Sequence, residues 1–329
     1  MLVDPKTMTM ADDANHARLR RSMNGAFASR SLAEQESILN ENVDLFLHQL
    51  EQQSQKGSEI DLRLWYNYAT FDLIGDLAFG ESFNCLASST CHEWVQFVMD
   101  YFYVASLLQV VHRFRPLNKL LAILLPPSLI EKKETHSRIA LQKIRRRVQK
   151  NTRKPDFISH MLKAMDTGLI TMEELENQAS IFILAGSETT AVALAFATYF
   201  LLVNQPAMEI LLEELRSNFQ NESQIDVLSI NQLNYLQAVI QETLRLAPPI
   251  TNGFPRQVPP EGAVVDGTFV PGGSVVNISH WSAYHSPKNF SRPGEFRPER
   301  WLGDSQFEGD SKDVFQPFSI GPRSCIGQK

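Results

Sequence analysis

The sequence predicts a mainly α protein with a small β subdomain late in the chain, and three observations carry that prediction. Up to about residue 247, apolar residues recur at helical spacing between recognisable caps. From residue 248 the texture turns to Pro and Gly, with short β-branched runs on either side of Asp266-Gly267. With 329 residues, 43% of them hydrophobic, the chain can bury a large core. No Gly/Ser linker, low-complexity tract or fixed-period repeat divides it. The expectation is one domain over 1–329: helix-rich 1–247, a β subdomain with loops at 248–314, and a cysteine-bearing loop at 315–329.

The elements follow in order. "ADDANHARLRRSMNGAF" opens with acidic residues and closes on Gly25; "SLAEQESILNENVDLFLHQL" offers Ser31 as N-cap with Glu34 three residues on. Further helical segments are expected at 62–80, 93–111, 116–151 and 156–165. The best-marked helix begins at Thr171, where "TMEE" makes a capping box with Glu174, and nothing breaks its pattern before Pro206. Some 34 residues at 1.5 Å rise would span about 50 Å. "IFILAGSETTAVALAFATYFLL" is apolar on almost every side, which predicts a path through the interior. Such a helix has no obvious use for Gly186, nor for Ser187, Glu188, Thr189 and Thr190 together, so something must compensate them. Helices at 206–219 and up to Leu246 follow. "GAVVDGTFVPGGSVVNI" then predicts a hairpin turning at Asp266-Gly267, and "RPGEFRPERWLGD" a Pro-punctuated loop.

Composition narrows the function. A net charge of −6 argues against a nucleic-acid surface. The basic run "KIRRRVQK", Lys143 to Lys150, reads as a solvated helix face in preference to a docking patch. Three cysteines, Cys85, Cys91 and Cys325, make no disulfide framework in a chain of this size, and with no signal peptide they suggest a reducing compartment. No run approaches the roughly 20 uncharged apolar residues of a membrane span. The segment from Tyr101 to Ile130 is apolar but interrupted by His112, Arg113, Arg115 and Pro116. It fits two helices whose turn touches a membrane surface, or two helices packed in the core.

Chemistry concentrates in three places. In "FSIGPRSCIG", Gly321 and Gly327 flank Cys325 and let the backbone approach a flat partner, and Arg323 supplies a fixed positive charge that suits a carboxylate. A thiolate beside a cation and near a helix start has a lowered pKa and is a metal ligand. A lone cysteine is ordinarily inert, but Phe318, Gly321, Arg323, Cys325 and Gly327 at these spacings would recur by chance on the order of once in ten thousand such chains. In "AGSETT", Ala185 and Gly186 leave a hollow beside the helix, and a threonine hydroxyl bonding back to its own turn widens it; alone, the motif is equally a packing notch. "ETLR", Glu242 to Arg245, is an i, i+3 pair that by itself says little, since "EELR" at Glu213 to Arg216 has the same spacing on an ordinary helix. His280 and His285 show no spacing that suits ligation.

Phe318, Gly321, Arg323, Cys325 and Gly327 match the cysteine loop of the haem-thiolate monooxygenases, and the chain resembles the cytochrome P450 family over almost its whole length. The resemblance implies the cytochrome P450 fold, incomplete at both termini, with haem b held by Cys325 as axial metal ligand. Thiolate donation favours O–O cleavage. By the same resemblance Glu188 and Thr189 relay protons, Ala185 and Gly186 line the oxygen site, and His16, Arg20 and Arg256 lie near the haem propionates. Glu242, Arg245 and Arg300 form a structural triad that locks the cysteine loop. "ESFNCL", "LAGSETT", "AYHSP" and "PERWLGD" look most like the filamentous-fungal branch acting on secondary metabolites, trichothecene hydroxylases among them.

The implied activity is oxidation of a small hydrophobic substrate with O2 and electrons from an NADPH-dependent flavoprotein reductase, at the cytosolic surface of the endoplasmic reticulum. Two alternatives stand beside it. One keeps the haem but isomerises or dehydrates, against which the Glu188–Thr189 pair speaks. The other is a truncated, non-catalytic chain: it begins at what resembles the third helix of the family, and the helix expected after Cys325 stops at Lys329, too short to hold a helix alone.

Overall fold

The computed structural model describes residues 7–90, 138, 141–150 and 155–328, which fall into two compact units, one up to Ala191 and one from Val192 to Gln328. The expected helix at 93–111, Cys91 and the Tyr101–Ile130 segment lie outside the described residues.

In the first unit, α1 (Asp13–Asn24) starts where Asp12 accepts the backbone N–H of Asn15. The next helix, α2, spans Ser29–Gln55. Ser31 is not its N-cap. The chain turns at Ala28, whose carbonyl already accepts from Leu32, so Ser31 lies in the first turn, buried, with Oγ 3.3 Å from His160 Nε2. Glu34 pairs with Arg30 instead of closing a capping box.

The centre of this unit is α3 (Leu62–Phe79), which buries Trp65, Tyr68, Phe71, Ile74, Ala78 and Phe79 on several sides and packs against α2. Asp61 caps its start, and Gly80, at φ +66°, ends it in the left-handed conformation that glycine adopts without penalty. Buried Asp72 accepts from the N–H groups of Cys85 and Leu86 and so caps the short α4 (Cys85–Ser88).

Helix 141–150, α5, carries the basic run, and the expected solvated face holds for Arg145, Arg146, Gln149 and Lys150 but not for the whole run. Arg147 is buried and paired with the equally buried Asp156 at 2.6 Å. Lys143 and Lys150 converge on Glu81, and Arg145 reaches Glu176. The run is basic because unit-internal carboxylates need partners, which a charge count alone does not reveal. After it, α6 (Phe157–Asp166) closes an aromatic cluster in which the Phe157 ring lies 4.7 Å from Phe27 and 5.2 Å from Phe182.

The expected single long helix is two: α7 (Met172–Gly186), opened by the Thr171–Glu174 capping box, and α8 (Glu188–Val203). Ser187 interrupts the ladder, its N–H reaching Ile183 O at 3.3 Å and its own hydroxyl bonding the same carbonyl at 2.5 Å. The interior path holds for α7, which packs on α3, but not for α8. Among the described residues only Ala191 of α8 is buried, and Tyr199, Leu202 and Val203 are more than half exposed. An all-round apolar helix needs cover on every side, and the described residues cover one. By length and composition alone, Met172–Val203 also passes for a membrane span, with 22% of its most apolar window buried. The sequence reading found no such run because Glu188 and its hydroxyl neighbours divide the apolar residues.

In the second unit, α9 (Gln205–Asn218) and α11 (Asn234–Leu246) enclose a core of Ala207, Leu211, Tyr235, Val239, Leu246 and Phe296. The short α10 (Val227–Ile230) lies between them in sequence. The β part is two small antiparallel ladders. β1 (Arg256–Gln257) pairs with β4 (Val275–Val276), and β2 (Ala263–Val265) with β3 (Thr268–Val270). The hairpin turns as expected at Asp266 and Gly267, both with positive φ, the signature of a type I′ turn. A short helix, α12 (His280–Tyr284), and several 3-10 turns lead to the cysteine loop.

Candidate functional site: a cysteine loop and its buried anchor

The loop at the end of the second unit closes on itself. Cys325 donates its N–H to Phe318 O at 2.8 Å, Ser324 donates to Gly321 O, and Ser319 to Gln316 O. Two residues in the bend, Ser319 and Gly321, have positive φ, and at +79° Gly321 sits where any side chain would be strained. No other group lies within 4 Å of where its Cβ would be. The ring of backbone bonds therefore presents Cys325 as an exposed free thiol. A Cβ on Gly327 would stand 3.9 Å from that sulfur, an ordinary contact, so Gly327 leaves room beside the thiol and Gly321 shapes the bend. Arg323 and Phe318 are half-buried in the same turn.

Behind this loop lies the Glu242–Arg245–Arg300 group, brought together with every side chain fully buried. Arg245, at the end of α11, uses all five guanidinium N–H groups. Two meet Glu242 at 2.9 and 2.8 Å, and three meet the carbonyls of Tyr284, Pro293 and Glu295. Glu242 also accepts from Arg300 Nε at 3.4 Å, Trp301 Nε1 at 2.9 Å and the backbone N–H of Arg297. α11 is itself capped at its start by Glu214 of α9, which accepts the N–H groups of Tyr235 and Leu236. Glu214 belongs to the "EELR" run read as ordinary, and only its position beside a helix start distinguishes it.

Two routes lead from the group to the loop, and neither was foreseen. Tyr284, whose carbonyl Arg245 holds, accepts the N–H of Gln316 on its hydroxyl oxygen at 3.0 Å; burial pushes that phenol up to about 12. Trp301, bound to Glu242, places its ring 4.7 Å from Phe315. Phe315 and Gln316 immediately precede the loop. An aromatic residue in a Pro-rich stretch gives no sequence signal for such a contact.

The other constellation belongs to the first unit. Thr189 donates its hydroxyl to Ala185 O at 2.6 Å, the expected back-bond within the helix. Gly186 faces Ile74 of α3: a Cβ there would meet Ile74 Cδ1 at 2.9 Å, so the glycine serves helix packing. Glu188 is half-buried, its Oε2 has no hydrogen-bond partner among the described residues, and burial pushes its carboxyl up against the opposing pull of Arg63. A carboxyl in this state holds a proton more readily than an exposed one. His16 is buried on α1 and Arg20 half-buried one turn on. Arg256 is exposed on β1 and donates to Pro255 O at 3.2 Å. His280 donates its Nδ1–H to Ile250 O at 3.0 Å, and His285 stacks on Trp281, both in local roles.

A model of the family described as Cytochrome P450 matches residues 2–329. The chain is 59% identical over its whole length to "Cytochrome P450 monooxygenase astD" of Aspergillus oryzae (strain ATCC 42149 / RIB 40), covering 64% of that protein. It is 41% identical over 95% of its length to "Cytochrome P450 monooxygenase astA" of Talaromyces wortmannii, covering 64% of it. It is 39% identical over 96% of its length to "Trichothecene C-15 hydroxylase" of Fusarium sporotrichioides, covering 65%. The chain thus spans about 64% of the length of these relatives.

Proposed function

The chain belongs to the cytochrome P450 family, and from that premise we propose that it is the oxygen-activating part of a haem-thiolate monooxygenase oxidising a small apolar molecule in fungal secondary metabolism. The observation that carries the reading is the exposed Cys325 thiol on a loop closed by its own backbone and anchored behind by a buried charge group. The residues present fit a haem. The sulfur is accessible and unpaired by disulfide, Gly327 leaves room beside it, Gly321 shapes the bend that presents it, and Arg323 offers a cation. Haem b, when bound, supplies the redox chemistry that splits dioxygen and oxidises carbon.

In this reading Cys325 would hold the iron as thiolate, and the loop fixes the sulfur's direction. Arg323, Arg20 and Arg256 would offer positive charge to the haem carboxylates, and His16 a ring N–H. Glu188 holds and releases a proton at Oε2, the oxygen with no hydrogen-bond partner among the described residues, and Thr189 passes it on through a hydroxyl already oriented by Ala185 O. Glu242, Arg245 and Arg300 act by holding the loop. A partnerless acid beside a threonine is what delivery of protons requires and favours oxygen chemistry over isomerisation. Electrons would come from NADPH through a flavoprotein reductase, and the proposed location is the cytosolic face of the endoplasmic reticulum. The name of one relative, a trichothecene hydroxylase, supports a secondary-metabolite substrate.

The test is to express the full chain, add haem, reduce it and bind carbon monoxide. A red-shifted Soret band, lost in Cys325→Ser, is expected. No such band at any haem concentration would overturn the reading and leave a non-catalytic chain.

A further inference from the structure

Taken alone, the Glu242–Arg245–Arg300 group does not balance. One carboxylate faces two guanidiniums, all at zero side-chain exposure, which leaves one excess positive charge in a place where unpaired charge is strongly destabilising. Glu295 and Arg297, whose backbone atoms touch the group, have side chains that are half exposed and pair with each other at 2.8 Å, so they do not supply the difference. Asp310 can. Its side chain is also fully buried and forms an ion pair with Arg300 Nη1. Its other oxygen, Oδ1, accepts the N–H of Ser291 at 2.7 Å, and one residue later Ser311 donates its N–H to Asn289 O at 2.7 Å. The faces of the Arg300 guanidinium are covered by Phe307, 4.4 Å from its centre, and Phe290 at 5.7 Å, so water does not screen the pair.

We infer that Asp310 is the fourth member of this buried group: a positioning residue that neutralises Arg300 and fixes the 310–316 segment, whose Phe315 and Gln316 lead into the cysteine loop. The inference rests on the reading of the buried group as the loop's anchor, and not on haem being bound. With Asp310 the group holds two carboxylates and two guanidiniums. Charge balance then predicts a specific pattern. Removing either Asp310 or Arg300 alone leaves one charge unmatched, whereas removing both leaves the neutral Glu242–Arg245 pair.

The experiment is a double-mutant cycle in the full chain without haem, comparing Asp310→Asn, Arg300→Gln and the double variant in urea. Exchange of the Gln316 amide and the indole N–H resonance of Trp301 are followed in parallel. Asp310→Asn is expected to lower the folding constant of this unit about 100-fold or more. The same change made on the Arg300→Gln background should cost less than about tenfold, or restore stability. Gln316 exchange and the Trp301 signal should move in Asp310→Asn and stay put in the exposed control Glu308→Gln. If a single variant fails to fold, recovery of folding in the double variant supports the inference. Additive losses around the cycle, a double variant that stays unfolded, or unchanged Gln316 exchange in a folded Asp310→Asn would overturn it. Because haem takes no part, failure of the proposed monooxygenase reading would leave this result standing, and the reverse.

Discussion

At the scale of single residues, Glu188 shows how a functional group is kept in an unfavourable state. Its carboxyl is pushed up by burial, and Oε2 lacks a hydrogen-bond partner among the described residues. The native chain therefore keeps this proton to higher pH than the unfolded chain does. Stability falls as pH rises through the ordinary carboxylate value of about 4.3 towards the raised one, and is flat above it. Glu188→Gln is expected to raise the urea midpoint of the first unit at about pH 7 and to match the parent at about pH 3. The same variant, loaded with haem, should turn over on the order of 100-fold more slowly, because an acid–base group has been removed. A variant neither more stable nor slower would contradict both roles. The acid and its threonine were legible as four polar residues inside an apolar helix. Gly186 was visible as an anomaly, but its partner, Ile74 of α3, was not, because contacts between distant helices leave no mark in a local pattern.

At the scale of elements, caps and ion pairs set how helices meet. Arg18 of α1 donates to both carboxylate oxygens of Glu174 and to Leu169 O, binding α1 to the start of α7 and holding the Glu174 carboxyl down at about 2. A depressed carboxylate stabilises the fold above its unfolded value of about 4.3 and loses that contribution as pH falls towards 2. Arg18→Gln should therefore cost about 1 kcal/mol at neutral pH and nothing near pH 2, seen as merging of the two urea midpoints on acidification. Gly80, which ends α3, offers a second check. Alanine there would be strained by φ +66° and would press its Cβ to 2.7 Å from Arg147 Cδ, whereas Gly57, at φ +69°, has open space around it. Gly80→Ala should cost about 2 kcal/mol and Gly57→Ala about 1, the difference reporting the Arg147–Asp156 contact.

Helix positions were legible from spacing: α3, α6, α9 and α11 fall where they are expected, as does the Asp266-Gly267 turn. Ser31 was misread because serine also fits a first helical turn. The basic run is solvated only in part, and its ion pairs were not legible because the partners Glu81, Asp156 and Glu176 are scattered along the chain and only folding collects them.

At the scale of the whole molecule, sequence marks the ends of the argument better than its middle. Cys325 and its glycines are recognisable because a metal loop demands particular residues at particular spacings, and the triad because Glu242 and Arg245 lead into the β subdomain before Arg300. The connection between them is tertiary. Tyr284, Trp301, Phe315 and Asp310 carry it; the first two stand in "AYHSP" and "PERWLGD", but no local pattern marks any of the four as a contact, and together they turn a buried charge group into a support for a thiol. The exposed apolar side of α8 is the largest departure from expectation. The sequence shows that the helix is apolar all round, but not which residues cover it.

The central claim is that Cys325 is built to hold haem iron as a thiolate, and the most direct measurement is the spectrum of the reduced, carbon monoxide-bound chain after haem addition. The account predicts a red-shifted Soret band in the parent chain and its loss in Cys325→Ser with the fold intact. A parent spectrum indistinguishable from that of Cys325→Ser would contradict it.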